Sequence, residues 1–400
     1  MRILFIVPYI PSLVRVRPYN FIHTLHQRGH ELTLVLLQPP GEPDSTLPQL
    51  REWAKEVHVV PLKKSQIIRN GLRGLFRSLP LQASYSESPE AEALIRDLVS
   101  KNQYDVAHVE HLRGYILIRA LGTLPVVWDT VDSIALLFEK VIQSAPSLKS
   151  RLMALLDLNR TRRFEGRITD ELSEIAICSD LDKRRMVELG ANADRLTFVP
   201  GCVDVDYFKP MPEIQREPRT LIFSGKMSYH ANIAAVQDLV EKIMPLVWAQ
   251  EPETKLQVVG KDPGPEIVAM GEADKRIEVT GFVPDIRPYQ AKATMAVCYV
   301  RYGVGLTNKT IESMAMGTPI VASPHAVSTL KDEFRREVLV GETPEQIAAH
   351  IVTLLRDPQR AAAMGVAGRQ YVEAYQRWEY AASLLEQMYA RAKPAHLREA

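Results

Sequence analysis

Short apolar, β-branched runs alternate with helix-length amphipathic stretches along this chain, and the alternation begins a second time after a proline-rich break. In the first half the runs are Ile3–Val7, Leu32–Leu37, Val57–Val60, Val106–Val109, Val126–Trp128, Glu174–Cys178 and Leu196–Val199. In the second they are Leu221–Phe223, Leu256–Val259, Ile277–Val279, Met295–Val300 and Pro319–Ala322. Such runs, bounded by turn residues, read as strands covered on both faces, and the helices between them require parallel crossovers. The expected fold is α/β, with two Rossmann-like doubly wound domains facing a cleft, because open sheets of this kind take ligands at the carboxyl ends of their strands. Pro200-Gly201, Pro210, Pro212 and Pro218 mark the linker, since few regular elements persist through such a segment. The domains expected are therefore 1–200 and 201–375, with an amphipathic helix in 376–400 packing back on the first.

A chain of 400 residues is long enough for two independent cores. Its net charge of +1 leaves no overall electrostatic footprint for nucleic acid. Cys178, Cys202 and Cys298 are widely spaced in apolar surroundings and form no CxxC pair, so they read as small core residues in a reducing compartment. Pro8 ends the first apolar run, and no run approaches the ~20 residues that span a bilayer. The expected location is cytoplasmic, with peripheral contact at the inner membrane face as an open alternative.

The most informative segment is RYGVGLTNKTIESMAMGTPIVAS, from Arg301 to Ser323. It reads as a strand end, a loop with Gly303 and Gly305, a short helix from Asn308 to Met316 closed by Gly317, and another strand. A loop feeding a helix N-terminus offers unpaired N–H groups and the positive end of the helix dipole to an anion. Lys309 in the first turn opposes that dipole, at a cost of about a few tenths of a kcal/mol, until an anion arrives. Glu312, one turn further in, is placed to accept bonds from neutral hydroxyls.

The segment resembles glycosyltransferase family 4, the retaining enzymes of GT-B fold, in the run Glu312-Ser313-Met314-Ala315-Met316-Gly317-Thr318-Pro319-Ile320-Val321. Pro200-Gly201-Cys202-Val203-Asp204, Phe223-Ser224-Gly225-Lys226-Met227, Val258-Val259-Gly260 and Val279-Thr280-Gly281-Phe282-Val283 are similar to that family's motifs in the same order. The resemblance implies an acceptor-binding first domain and a second domain that binds a nucleoside-diphosphate sugar. In the second, Gly225 lets the backbone approach the diphosphate and Lys226 stands where the family has an Arg. Phe282 and Val283 hold the base, Gly305, Leu306, Thr307, Asn308 and Lys309 cradle the diphosphate, and Glu312 takes the ribose. Neither a metal nor a cofactor is expected, and no Asp-x-Asp pair is read as a metal site.

The sequence departs from the family pattern at Val304, where a first glutamate usually stands, and near Ala231, where a second basic residue usually stands. The loop Gly305-Leu306-Thr307-Asn308-Lys309-Thr310-Ile311-Glu312 is similar to a branch found in polysaccharide biosynthesis. In the first domain, Asp105-Val106-Ala107-His108-Val109-Glu110-His111 ends a strand where family members carry a histidine on the transferred sugar. Spacing puts Glu110 at that position with His111 adjacent, so both are candidate catalytic residues beside Lys226 and Lys309. Arg15 and Arg17 are read as facing donor phosphates or an acidic acceptor, or as solvated loop charges. Asp129 and Asp132 are candidates for acceptor contact.

Lys63, Lys64, Arg69, Arg73 and Arg77 interleave with Ile67, Ile68, Leu72, Leu75, Phe76 and Leu79. Two readings stand: a helix on an anionic membrane surface, or one packing its apolar face on its own domain. A second basic run, Lys149 to Arg167, reads as a solvated helix face. The expected activity is transfer of a hexose from a UDP- or GDP-sugar to a saccharide or lipid-linked acceptor, with retention and without metal. The alternatives are a non-catalytic nucleotide-sugar-binding partner or a sugar-nucleotide epimerase of the same fold.

Overall fold

A computed structural model describes residues 1–12, 15–144, 148–300, 307–331, 334 and 338–397. The chain divides into two units, Met1–Gly201 with Trp378–Ala400, and Cys202–Arg377.

The first unit is built on seven strands: β1 (Arg2–Val7), β2 (Glu31–Gln38), β3 (Glu56–Pro61), β4 (Val106–Glu110), β5 (Val126–Val131), β6 (Glu174–Ile177) and β7 (Leu196–Phe198). Their order is β3-β2-β1-β4-β5-β6-β7, all parallel. Chain direction across the sheet reverses between β1 and β4, the switch point at which strand ends open a crevice. The helices that matter below are α1 (Val16–Gln27), α2 (Lys64–Gly74) and α3 (Leu148–Glu171). Ile3 to Val7 and Val106 to Glu110 are all buried, as a central parallel sheet requires.

The second unit carries β8 (Thr220–Ser224), β9 (Lys255–Val259), β10 (Ile277–Gly281), β11 (Met295–Cys298), β12 (Ile320–Ala322) and β13 (Leu339–Val340), in the order β10-β9-β8-β11-β12-β13, again parallel. β13 carries no sequence signal, because two residues are too few for a period. Two helices serve the site, α4 (His230–Asp238) and α5 (Asn308–Ala315). The stripe from Ile233 to Val247 is not one regular helix. After α4 it widens into a π turn at Leu239–Ile243, just ahead of Pro245, which has no N–H to donate.

The last helix, α6 (Trp378–Arg391), belongs to the first unit. Trp378 meets Phe21 of α1 edge-on at 5.4 Å, Arg28 grips Glu386 through two bonds of 2.7 and 2.6 Å, and Tyr389 reaches His108 in β4.

Candidate functional site

The second unit holds a cavity of about 350 Å3 at the carboxyl ends of its strands. Ser224, Gly225 and Lys226 line it after β8, Thr307, Asn308, Lys309 and Glu312 enter from α5, and Tyr229, Asn232 and His325 complete the polar wall. Two glycines set how closely the loops approach. Gly225 (φ +153°) and Gly260 (φ +155°) both occupy backbone that other residues avoid. A Cβ on Gly260 would overlap the carbonyl oxygen of Gly225, and one on Gly225 would sit 2.7 Å from Nδ2 of Asn232.

The N-terminus of α5 abuts this cavity, with Thr307 as its first flanking residue and no side-chain cap on its amides. Ile311, Met314 and Ala315 bury the opposite face of the helix, and Gly317 (φ +65°) stops it. Lys309 Nζ donates to Asn232 Oδ1 at 2.8 Å and lies 3.7 Å from the centre of the Phe223 ring. Burial lowers its pKa to about 8, and burial raises that of Glu312 to about 7, against the opposing pull of Lys309. Among the described residues none hydrogen-bonds the Glu312 carboxylate, and Glu312 lines the cavity.

Six of the residues singled out from the sequence therefore share one cavity: Gly225, Lys226, Thr307, Asn308, Lys309 and Glu312. Phe282 and Val283 are not among its lining residues; Phe282 is 72% exposed, and Val283 is partly buried against a core cluster of the second unit. Gly305 and Leu306 lie outside the described residues, as do Gly303 and Val304. Asn232 was missed, because an amide in the first turn of a helix carries no motif of its own.

In the first unit the strand ends are occupied differently. Glu110, on the same face of β4 as His108, is fully buried. The Tyr9 hydroxyl donates to it at 3.4 Å, and burial raises its pKa to about 7. His108, on the same face of β4, stacks on Phe5 at 4.1 Å and pairs through Nδ1 with the Tyr389 hydroxyl at 2.9 Å. Arg17 is not a free loop charge: it donates to Asp129 at 2.8 Å and to the Pro200 carbonyl at 3.1 Å, inside the same cluster. Arg15 pairs with Glu42 and lies over the Tyr9 ring.

His108, Glu110 and Asp129 place one ligand atom each within 4.8 Å of one another, the geometry of a cation site. The Arg17 guanidinium already supplies a fixed positive charge there. His111 follows at the end of β4 with φ +63°, a strained value for a non-glycine residue. Its Nδ1 accepts the Arg113 amide at 3.1 Å, and burial, with Arg113 and Arg15 nearby, drops its pKa to about 3, so the ring is neutral. Asp132 is bonded by the Cys178 thiol at 3.3 Å, and its pKa is pushed up to about 7 by burial and by Asp182.

Two Asp-x-Asp spacings do occur, one in the first turn of the helix Asp180–Glu188 and one in a turn after Val203. In Asp180-Leu181-Asp182 the second aspartate accepts the Ser133 amide. In Asp204-Val205-Asp206 the first accepts the amides of Asp206 and Tyr207.

Residues 14–202 match the family model described as "Glycosyl transferase 4-like domain", and residues 218–357 match "Glycosyl transferases group 1". The GDP-mannose-dependent alpha-(1-6)-phosphatidylinositol monomannoside mannosyltransferase of Mycolicibacterium smegmatis is 27% identical over 54% of this chain and 60% of its own length. The D-inositol 3-phosphate glycosyltransferase of Thermobispora bispora is 25% identical over 57% of this chain and 58% of its own. The chain thus spans about 60% of the length of the curated relatives it matches. Among solved structures, Anabaena HepE in complex with UDP superposes with a TM-score of 0.65 over 98% of this chain and 100% of that one, at 14% identity.

Proposed function

The chain belongs to the family 4-type glycosyltransferases of GT-B fold, and from that premise we propose that it moves a hexose from a nucleoside-diphosphate sugar to a saccharide or lipid-linked acceptor. The observation that carries the reading is the shared cavity of Lys226, Lys309, Glu312 and the α5 N-terminus. Departure of the sugar leaves negative charge on the diphosphate. The Lys309 ammonium, held by Asn232, the helix-end amides beside it and the exposed Lys226 side chain stabilise that charge where other folds use a divalent ion. Glu312 takes the ribose hydroxyls. His111, held neutral, is a hydrogen-bonding partner for the transferred sugar rather than a charged acid. Attack on the face from which the diphosphate departs gives retention.

The names of the mycobacterial and Thermobispora relatives make GDP-mannose the first donor to try and inositol- or lipid-linked saccharides the first acceptors; UDP-sugars are the second class. The test is thermal unfolding of the full chain with UDP, GDP, ADP and NAD. A ligand that binds only the folded state adds about 2.7 kcal/mol at a hundred times its Kd. A shift with one nucleoside diphosphate, lost in Lys309→Ala and Glu312→Ala, supports the reading. A shift with NAD alone, or with no diphosphate, removes it.

A further inference from the structure

Of the apolar side chains on the basic stretch, Ile67 and Leu79 pack against the core of the first unit. Ile68, Leu72, Leu75 and Phe76 do not: they are exposed, Phe76 to 92%. Ile68 and Leu72 are four residues apart on one face of α2, and Leu75 and Phe76 follow in the turn that ends it. A second stripe lies on α3, where Leu148, Leu152, Met153, Leu155 and Leu156 are each more than half exposed. The run read as a solvated basic face thus presents leucines in its first half.

The two stripes are neighbours. Arg160 of α3 donates to the carbonyls of Gly74 at 2.7 Å and Leu75 at 3.3 Å, and Asp157 accepts the Leu81 amide at 2.9 Å. Beside this junction opens a largely apolar cavity of about 550 Å3, lined by Leu81, Leu137, Phe138, Val141 and Met153.

The charge around the stripes has one sign. Lys63, Lys64, Arg69 and Arg73 are exposed, and no acidic residue occurs from Leu62 to Ser86. The two acids of α3 before Asp170, Asp157 and Glu165, are both buried. Beyond the leucines the exposed stripe continues as Arg163 and Arg167. Contiguous exposed apolar side chains mark a surface that is covered in use. Self-association through this face would set like charges against each other. An anionic lipid surface satisfies both features, taking the apolar side chains below the headgroups and the cations at their level.

We propose that α2 and the first half of α3 form a docking surface for an anionic lipid bilayer, on which the protein lies without crossing. No helix among the described residues is long and apolar enough to cross one. The inference is independent of the nucleotide site.

The test is sedimentation of the full chain with vesicles of phosphatidylcholine, alone or doped with phosphatidylglycerol. Binding is expected to the doped vesicles, weakening as salt rises. Leu72→Ser/Phe76→Ser/Leu156→Ser should abolish it, and Arg69→Glu/Arg73→Glu should lower the partition at least roughly ten-fold. All five positions are exposed, so circular dichroism and any nucleotide-induced thermal shift should be unchanged in both variants, which separates failure here from failure at the cavity. The proposal is overturned by absence of binding to doped vesicles at low salt, or by wild-type binding in both variants. It is equally overturned if the protein self-associates in the ultracentrifuge and the triple serine variant makes it monomeric.

Discussion

Lys309 and Asn232 hold each other at the wall of the second unit's cavity: the ammonium donates to Oδ1 at 2.8 Å, while Nδ2 of the same amide donates to the carbonyl of Lys226 at 3.0 Å. One uncharged side chain therefore fixes both lysine-bearing loops. Hydrogen bonds to charged groups contribute about 1.5–3 kcal/mol. Asn232→Ala is expected to weaken nucleoside-diphosphate binding by roughly ten-fold or more. Asn232→Asp keeps an acceptor for Lys309 but puts a carboxylate oxygen against the Lys226 carbonyl in place of the Nδ2 donor, so it should lose thermal stability as well. It should bind diphosphate more weakly still, because it adds a negative charge beside the phosphates. Titration calorimetry alongside thermal unfolding reads both; equal affinity in all three proteins would remove Asn232 from the site.

The pH profile of diphosphate binding follows from the same pair. Lys309 loses its proton near pH 8, and Glu312 gains one near 7. Affinity is expected to fall as pH rises through about 8, when the ammonium is lost. It should also fall below about 7, when the carboxylate is lost. Lys309→Arg should abolish the alkaline limb, since a guanidinium keeps its charge. An alkaline limb that persists in that variant would assign it to another group.

Glu110 gives a stability test. Its folded pKa is raised from 4.5 to about 7, so the folded protein keeps a proton that the unfolded chain releases above about 4.5. The stability from that proton is complete below the unfolded pKa and is lost as pH rises through the folded value. Glu110→Gln, which keeps the acceptor for Tyr9, is expected to gain on the wild type by up to ~3 kcal/mol between pH 5 and 8. Parallel stability curves in denaturant would show that Glu110 is ionised in the folded state.

Arg17 and Asp129 form a buried pair, and removing one partner strands the other charge. Arg17→Met is expected to cost about 3–5 kcal/mol. Arg17→Met/Asp129→Asn should cost less than the single change, because no unpaired charge remains. Denaturant unfolding of the two variants decides; a double variant no more stable than the single one would mean that Asp129 carries no unpaired charge once Arg17 is gone.

Gly260→Ala should disorder the cavity from behind. The new Cβ meets the carbonyl of Gly225, and the backbone angle is unfavourable for alanine. A loss of about 2–4 kcal/mol is expected from strain and overpacking together, with weakened diphosphate binding. Retention of wild-type stability would show that the two loops separate freely.

Legibility in the sequence followed the range of the interactions. Twelve apolar runs announced twelve strands, because burial on both faces leaves a composition that can be read within a few residues. Lys309 and Glu312 were legible for a similar reason, since a helix N-terminus is a local device, whereas Gly225 was singled out through the family resemblance. β13 was too short to carry a period. At β4 a single backbone angle, φ +63° at His111, separates a residue at the strand end from Glu110, which points into the core, and residue types alone do not contain that angle.

The sequence by itself determined the two parallel sheets, the break between them and the start of α5, since each rests on hydrophobic period or on turn chemistry among near neighbours. Only the tertiary structure decided which polar groups meet. Tyr389 reaches His108 across 281 residues, Asn232 reaches Lys309 across 77, and Arg17 finds Asp129 across 112. Only the tertiary structure, too, left the leucines of α3 outside the core. A side chain's charge and shape are written in the sequence; which partner satisfies it depends on how helices and strands pack, and packing is a property of the whole fold.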